Sequence, residues 1–268
     1  MMNSTRIKAV FFDVDGTLLS FADHTVPPST RAALDALRGE GVRIVIATGR
    51  SAANLAEIAA LPYDGVIGLN GTDCRLRAGD VVSRDVISPE SFRRVMELAD
   101  RYDFAVSVEG NSGVFVSRLT PRVCEMARMI AHPAPEVRNL WEVYDAEETS
   151  QLCLFTDPET EREVMAQLPE LQSSRWCDVF ADVNVAGKDK ATGMEVFMRH
   201  FGITREETMA FGDGGNDMPM LRAAGIGVAM GNASEEVKAC ADFVTRMVEE
   251  GGIAHALIRF GVIRPTFL

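Results

Sequence analysis

The chain has 268 residues, a formal net charge of −12 at pH 7 and 47% hydrophobic residues. A negative charge of this size disfavours nucleic acids and anionic membranes as general partners, although a small anion can bind beside local cations or a metal. Five scattered cysteines without a C-x-x-C pair argue against a disulfide framework or a thiolate metal site. Neither a bilayer-spanning apolar run nor a signal-peptide pattern is present, so the cytoplasm is the expected location.

Buried parallel strands are predicted toward both ends of the chain. Five continuously apolar runs have the length of strands buried on both faces, at 7–12, 42–47, 65–69, 208–212 and 226–230. Helical patterns lie between them, at 28–39, 52–60 and 218–224. This alternation of strand and helix predicts an α/β fold, with a doubly wound, Rossmann-like core on a parallel sheet.

The middle of the chain has a different pattern. Helices are predicted at 89–102, 121–131 and 159–167, and strands at 105–109, 113–116, 151–155 and 175–179. The stretch "SVEGNSGVFV" is typical of a hairpin in an antiparallel sheet. Residues 83–185 are therefore predicted to form an α+β domain, inserted into a discontinuous core domain of residues 1–82 and 186–268.

Polar residues follow four of the predicted core strands. The first strand ends at Asp13 and Asp15, and the others are followed by Thr48, Gly49 and Arg50, by Asn70 and Gly71, and by Asp213, Asn216 and Asp217. Ligands of an open parallel sheet bind at the carboxyl ends of its strands. We therefore expect these residues to meet at one rim.

The residue types at this rim indicate phosphoryl chemistry. Asp13 and Asp15 place like charges close together, which favours a bound cation. Carboxylates with hydroxyl and amide groups, and no cysteine or histidine, make the oxygen site that Mg²⁺ prefers. Thr48 and the backbone amides near Gly16 and Gly49 are suited to the oxygens of a substrate phosphate.

A pair of aspartates at this position can divide a two-step reaction between them. One aspartate as nucleophile and the other as general acid would transfer a phosphoryl group through an aspartyl-phosphate. A lysine is then needed to neutralise the phosphate. The stretch "VAGKDKATGMEVF" offers Lys188 and Lys190 where a helix is predicted to begin.

Four motifs of the chain resemble those of the haloacid dehalogenase superfamily, in the same order. They are "DVDGT" at 13–17, "IATGR" at 46–50, the lysine near a helix start and "FGDGGNDMPML" at 211–221. The stretches "LNG", "VAMGNA", "ADFVT" and "GGIAHAL" are similar to the Cof-type subfamily. The predicted insertion lies between the second and third motifs, where that subfamily carries its type IIB cap.

The resemblance implies a Mg²⁺-dependent phosphatase and a role for each matching residue. Asp13 would be the nucleophile, and Asp15 the general acid/base that gives the metal its main-chain carbonyl. The implied phosphate-binding residues are Thr48, Gly49, Lys190 and Asn216, and the implied metal ligands are Asp13, Asp15, Asp213 and Asp217. The third motif departs most from the family pattern, because Val185 and Ala191 stand where relatives have proline and glycine. Lys188 therefore stays a second candidate for the phosphate-binding lysine.

The expected partner is a small phosphorylated metabolite, and the sequence leaves monomer and homodimer open. Family analogy places sugar phosphates first, then pyridoxal phosphate or flavin mononucleotide. Four polar residues of the inserted domain are candidates for substrate contact, namely Glu109, Asn111, Arg118 and Arg175.

Other functions are less compatible with the residues. Dehalogenation is disfavoured because a halide leaves without the proton that Asp15 would supply. A phosphomutase shares the aspartate pair and differs in excluding water. A non-enzymatic phosphate-binding module is disfavoured because the chain has neither G-x-G-x-x-G after its first strand nor G-x-x-x-x-G-K-[ST]. A receiver-like signalling module would not need the insertion.

Overall fold

The computed structural model describes residues 6–52, 54–110, 112–130, 133–175 and 177–265. The chain divides into two compact units, Met1–Ser83 with Asp189–Leu268, and Arg84–Lys188. The role of the inserted unit as a substrate-selecting cap stays a prediction.

The elements follow one another in chain order. The first unit opens with β1 (Ala9–Phe12), α1 (Pro28–Gly39), β2 (Arg43–Ala47), β3 (Gly65–Gly68), β4 (Asp73–Leu76) and β5 (Val81–Arg84). The inserted unit contains α2 (Pro89–Tyr102), β6 (Ala105–Gly110), β7 (Gly113–Val116), α3 (Pro121–Met129), β8 (Glu136–Val137), α4 (Leu140–Ala146), β9 (Gln151–Phe155), α5 (Pro158–Met165), β10 (Leu171–Ser174) and β11 (Ala181–Val185). The first unit then continues with α6 (Lys190–Phe201), β12 (Thr208–Gly212), α7 (Met218–Ala223), β13 (Ile226–Ala229), α8 (Glu235–Ala239), β14 (Phe243–Val244) and α9 (Gly252–Arg259). Within the described ranges, every helix is too short or too polar to cross a bilayer.

The first unit is built on one sheet, whose strands in the described residues have the order β14-β13-β12-β1-β2-β3-β4-β5. The pairs from β14 to β3 are parallel, and β4 pairs with β3 antiparallel. Strand β1 is central, with Phe12 between Phe211 of β12 and Ile46 of β2. The predicted α/β fold with a parallel-sheet core is confirmed.

Helices cover both faces of this sheet because β1 is apolar on both of its faces. Val10 and Phe12 belong to the core that contains Leu34 of α1 and Leu257 of α9. The alternate residues of β1, Ala9 and Phe11, belong to a second core with helices α6 and α7. Successive side chains of a strand point to opposite faces, so four apolar residues in a row require cover on both sides.

The inserted unit has a sheet of its own, in the order β10-β11-β9-β6-β7-β8. Its pairs are antiparallel except for β7 with β8. Helices α2, α4 and α5 contribute to one of its cores, and α3 contributes to another. The hairpin predicted from "SVEGNSGVFV" is confirmed by the pairing of β6 with β7, although its residue Asn111 lies outside the described residues. The predicted helix end at Ala131 also lies outside them.

The helix predicted at 52–60 is wrong. The described residues there form only a short 3-10 helix, Ala56–Ile58. The buried residues Leu55, Ile58 and Leu61 recur every three positions. This spacing matches the three residues per turn of a 3-10 helix rather than the 3.6 of an α-helix.

The strand predicted at 175–179 is also wrong, because the described part of this segment is the loop between β10 and β11. The side chain of Arg175 donates to the main-chain oxygen of Cys177 in this loop and to that of Thr156, which follows β9. Val179 is buried in the core that contains α3, so its apolar character reflects loop packing.

Gly71 fixes the start of α6, because a tight turn brings it against Asp189. Its φ is +104°, and a Cβ atom there would lie 2.0 Å from the main-chain oxygen of Asp189. Asp189 is the N-cap of α6, whose side chain accepts a hydrogen bond from the Thr192 N–H at 2.8 Å. The first residue of α6, Lys190, is therefore positioned by a contact that only glycine permits.

Substitution of Gly71 should separate backbone strain from collision. Gly79 is a matched control, because its φ is +98° but a Cβ atom on it would have no neighbour within 4 Å. We expect Gly79→Ala to lower the free energy of unfolding by about 1–2 kcal/mol, the cost of the left-handed backbone. Gly71→Ala should lower it by roughly 1–3 kcal/mol more, because its methyl group overpacks the turn. Urea unfolding followed by circular dichroism measures the free energy of unfolding of both variants. Equal losses of stability would contradict the close contact between Gly71 and Asp189.

Candidate active site

Three carboxylates meet at the carboxyl ends of β1 and β12. Asp13 follows β1, Asp213 follows β12, and Asp217 ends the 3-10 helix Gly215–Asp217. One oxygen of each carboxylate lies within 4.8 Å of the others. The N–H of Asp13 donates to the main-chain oxygen of Phe211 at 3.0 Å, which extends the pairing of β1 with β12 up to the site. The predicted meeting of these strand ends is therefore observed for all three aspartates.

Lys190 joins two of these carboxylates. Its side chain is fully buried, and its Nζ donates to Asp13 Oδ1 at 2.7 Å and to Asp217 Oδ1 at 2.6 Å. Lys188, the second candidate from the sequence, belongs to the inserted unit and forms an ion pair with Asp85 at 2.9 Å. The structure thus brings Lys190, and not Lys188, to the aspartates.

Hydrogen bonds orient Asp213 and Asp217. Asp217 Oδ2 accepts from the main-chain N–H groups of Asp213 at 3.0 Å and Gly214 at 2.8 Å. Asp213 Oδ1 accepts from the Thr17 hydroxyl at 3.1 Å, and its Oδ2 accepts from Asn232 Nδ2 at 3.1 Å. Each carboxylate is therefore held in place before any ligand binds.

Burial and mutual repulsion make this cluster electrostatically unfavourable. Burial, followed by the charge of Asp217, raises the pKa of Asp13 well above its usual range, and Lys190 opposes this. The same two causes raise the pKa of Asp213 to about 7. Burial alone would lower the pKa of Lys190, but Asp13 and Asp217 raise it above its ordinary value. The two carboxylates therefore favour the charged form of the lysine, and Asp13 and Asp213 need further positive charge to ionise fully.

The cluster fits a magnesium ion. Its donors are carboxylate oxygens, the ligands that Mg²⁺ prefers. A divalent cation would complement the negative charge that one ammonium leaves uncompensated. Asn232 Oδ1, on the amide group that contacts Asp213, is buried and has no hydrogen-bond partner among the described residues. Asp13, Asp213 and Asp217 would hold the ion, whereas the main-chain ligand from Asp15 stays a prediction.

Asp15 lies in a different environment from Asp13. Its side chain is 37% exposed, whereas that of Asp13 is 9% exposed, and its carboxylate is not part of the acidic cluster. Arg50 Nε donates to Asp15 Oδ2 at 2.9 Å, and Arg50 Nη2 donates to Asp15 Oδ1 at 2.5 Å. Arg50 also contacts Glu57 at 3.3 Å. This bidentate pair fixes the direction of the Asp15 carboxylate.

The predicted phosphate-binding residues Thr48, Gly49 and Asn216 are linked through Asn70. The main-chain oxygen of Thr48 accepts from the Asn70 N–H at 3.0 Å, and Asn216 Nδ2 donates to Asn70 Oδ1 at 3.0 Å. A Cβ atom on Gly49 would lie 3.3 Å from the side-chain nitrogen Nδ2 of Asn70. Asn70 has a φ of +53°, a left-handed conformation that is strained for a residue with a side chain. The loops after β2, β3 and β12 are joined at this point.

Sequence reasoning missed two residues that hold the cluster, Thr17 and Asn232. Thr17 stands inside the first motif, but its type and spacing do not indicate its contact with Asp213. Asn232 follows the end of β13, where ligands of a parallel sheet bind, and this position is the only signal for it in the strand pattern. Its contacts with Gly16 and Asp213 join residues that are distant in sequence. Arg50, which follows β2, pairs with Asp15.

Comparisons with known proteins agree on the family. A protein-family model described as haloacid dehalogenase-like hydrolase matches residues 10–257. The solved structure of BT1666 from Bacteroides thetaiotaomicron, one of the phosphatases of the haloalkanoate enzyme superfamily, is 52% identical to this chain. The match covers 98% of each chain with a TM-score of 0.95.

Two further relatives are similar over nearly their whole length. The subclass IIB sugar phosphatase BT4131 is 38% identical, and its structure matches with a TM-score of 0.87 over 96% of this chain and 100% of that one. The Bacillus subtilis (strain 168) protein named "Putative phosphatase YkrA" is 34% identical over 260 residues. That match covers 96% of this chain and 99% of the relative.

The raised pKa of Asp213 predicts how stability depends on pH and magnesium. Between about pH 4 and pH 7 the folded protein keeps a proton on Asp213 that the unfolded chain releases. The stability from this group is complete below about pH 4 and is lost progressively between about pH 4 and pH 7, on the order of 1 kcal/mol per pH unit. Bound Mg²⁺ should restore the lost stability. Melting temperatures measured between about pH 4 and pH 8, in chelator and in Mg²⁺, test the pH dependence and the effect of the ion.

Asp213→Asn provides the comparison, because the amide cannot titrate. This variant should lose less stability between about pH 5 and pH 8 than the wild type, and Mg²⁺ should stabilise it less. An equal response to Mg²⁺ in both proteins would show that Asp213 is not a ligand.

Proposed function

Because the chain belongs to the haloacid dehalogenase-like hydrolases, as a phosphatase of the Cof type, we propose that it hydrolyses a small phosphorylated metabolite through an aspartyl-phosphate, with Mg²⁺ as its cofactor. One observation carries the proposal. Lys190 joins Asp13 and Asp217 beside Asp213, while Asp15, two residues after Asp13, lies apart in contact with Arg50.

Asp13 is the proposed nucleophile. Its carboxylate is fixed at the end of β1 by main-chain pairing and by the Lys190 ammonium. An oxygen of this carboxylate bonds to phosphorus as the bond to the leaving oxygen breaks, and water later cleaves the acyl phosphate. When bound, Mg²⁺ neutralises charge on the phosphoryl group and orients it. Lys190 places a further positive charge beside the nucleophile.

Asp15 is the proposed general acid and base. Its greater exposure and its separation from the acidic cluster suit a group that exchanges protons. In the first step it gives a proton to the leaving alkoxide, and in the second it takes one from the attacking water. Arg50 binds the ionised carboxylate, so the contact of Arg50 with Asp15 must loosen when Asp15 carries the proton.

The phosphate oxygens are assigned to Thr48, Gly49, Lys190 and Asn216. Their support is the link through Asn70, which joins the loops of Thr48 and Asn216. Backbone amides and a hydroxyl at strand ends are common donors to phosphate.

A sugar phosphate is the proposed substrate class. The support is the 38% identity to BT4131, itself a sugar phosphatase. Selection of the leaving group is assigned to the inserted unit, since the insertion stands between the second and third motifs. A cytoplasmic location and a monomeric or homodimeric state remain predictions, and a phosphomutase would use the same aspartates.

Phosphate release tests the reaction. The wild type should release phosphate from an aryl phosphate and from sugar phosphates with Mg²⁺ and not with chelator. Asp13→Asn should abolish release, because an amide is a poor nucleophile. Asp15→Asn should slow it by about 10²- to 10⁴-fold, the usual contribution of a general acid.

The outcomes separate the alternatives. Wild-type turnover by Asp13→Asn would contradict the covalent mechanism. If the Asp15→Asn variant kept the full rate on an alkyl phosphate, a group other than Asp15 would have to give the leaving alkoxide its proton. Conversion of a sugar phosphate to its isomer without phosphate release would indicate a mutase.

The two lysines provide a matched test of the third motif. Lys190→Met should reduce turnover by about 10²- to 10³-fold, as loss of a preorganised donor at the reacting group does. Lys188→Met removes only a partly exposed ion pair, and turnover should change by less than about threefold. Circular dichroism checks that both variants fold, and the reverse order of effects would reassign the phosphate lysine to Lys188.

A further inference from the structure

Asn232 connects two parts of the candidate metal centre that are distant in sequence. It lies in the loop between β13 and α8. Its Nδ2 donates to the main-chain oxygen of Gly16 at 2.8 Å and to Asp213 Oδ2 at 3.1 Å. One side-chain amide therefore ties the loop that carries Asp15 to a candidate metal ligand.

The contact between this loop and Asp213 is unusually close. Gly16 has a φ of +85°, and a Cβ atom on it would lie 2.2 Å from Asp213 Oδ2. Only glycine allows the main chain to approach the carboxylate in this way. Thr17 binds the other oxygen of Asp213, so Thr17 and Asn232 act together on the direction of this carboxylate.

The second polar atom of the Asn232 side chain has a different environment. Asn232 Oδ1 is buried and without a hydrogen-bond partner within the ranges that the structure describes. An unsatisfied buried acceptor is costly, so natural structures rarely keep one without a role. As part of the same amide, this atom lies close to Asp213, where Mg²⁺ would retain several of its waters as hydrogen-bond donors.

We propose that Asn232 is a positioning residue of the magnesium centre. Its N–H group holds Asp213 and the Gly16 loop together, and its oxygen accepts a hydrogen bond from a water of the hydrated ion. The inference rests on the proposed function in one respect, namely that Asp13, Asp213 and Asp217 bind Mg²⁺. Groups that orient metal ligands without touching the metal typically contribute 10- to 100-fold to metal affinity.

Titration calorimetry with Mg²⁺ alone tests the role without any need for a substrate. Asn232→Ala should raise the dissociation constant for Mg²⁺ by about 10- to 100-fold. The Mg²⁺ concentration for half-maximal phosphate release should rise by the same factor, because the ligands remain but are no longer held.

Ser234→Ala is the matched control in the same loop. Ser234 caps α8 by accepting a hydrogen bond from the Val237 N–H at 3.4 Å, and its side chain contacts neither Asp213 nor Gly16 among the hydrogen bonds of the described residues. Loss of the Ser234 hydroxyl should lower the melting temperature and leave the Mg²⁺ dissociation constant unchanged. Equal weakening in both variants would overturn the inference, because the affinity would then depend on loop integrity and not on Asn232.

Asn232→Asp separates positioning from direct coordination. A carboxylate keeps an acceptor but cannot donate to Gly16 and Asp213, so this variant should also bind Mg²⁺ more weakly. Tighter binding than in the wild type would overturn the positioning role, because position 232 would then act as a ligand. Unchanged affinity in Asn232→Ala would overturn the inference alone, whereas no binding by the wild type would overturn the magnesium proposal as well.

Discussion

The site depends on one charge imbalance, in which a cluster of three carboxylates, two of them buried and one half-buried, contains a single buried ammonium. Lys190 bonds to Asp13 and Asp217, and Asp213 has no share in these two bonds. Burial and repulsion raise the pKa of Asp13 and Asp213, so the arrangement is costly in the absence of a further cation. A site with this imbalance is suited to a divalent ion and an anionic ligand together, since each offsets the charge of the other. The order of the strands follows from the same requirement, because β1 must lie beside β12 for these aspartates to meet.

Two aspartates separated by a single residue acquire different chemistry from their surroundings. Asp13 extends the ladder of a central strand and is buried, whereas the chain turns away at Gly16 and leaves Asp15 partly exposed beside Arg50. A nucleophile benefits from rigid placement, and a group that exchanges protons benefits from access to solvent. The difference between the two proposed roles thus arises from the end of one strand and the turn that follows it.

Much of the site was predictable because buried strands have a local signature. Continuous apolar runs fixed the ends of β1, β2 and β12, and the rule for ligands at strand ends then gave Asp13, Thr48 and Asp213. The resemblance favoured Lys190 and left Lys188 as a second candidate. The burial that separates the two lysines was not available from the sequence, since a buried lysine and a half-buried one look alike until the helix start is placed. The helix predicted at 52–60 was wrong because apolar residues at a spacing of three fit both an α-helix and a 3-10 helix when the segment has so few turns. Asn232 acts through contacts with residues far away in sequence, which periodicity cannot reveal.

The insertion has a consequence for the order in which the chain can fold. Lys190 stands 177 residues after its partner Asp13, and β12 follows later still. During synthesis β1 leaves the ribosome first, yet one of its two neighbours in the sheet is made only after the whole inserted unit. Sheets assembled from such distant segments fold slowly, and domains made earlier tend to fold as units. The inserted unit can therefore complete its own sheet while the central strand of the first unit still lacks one of its two neighbours. The end of that strand carries an aspartate whose ammonium partner has not yet been made.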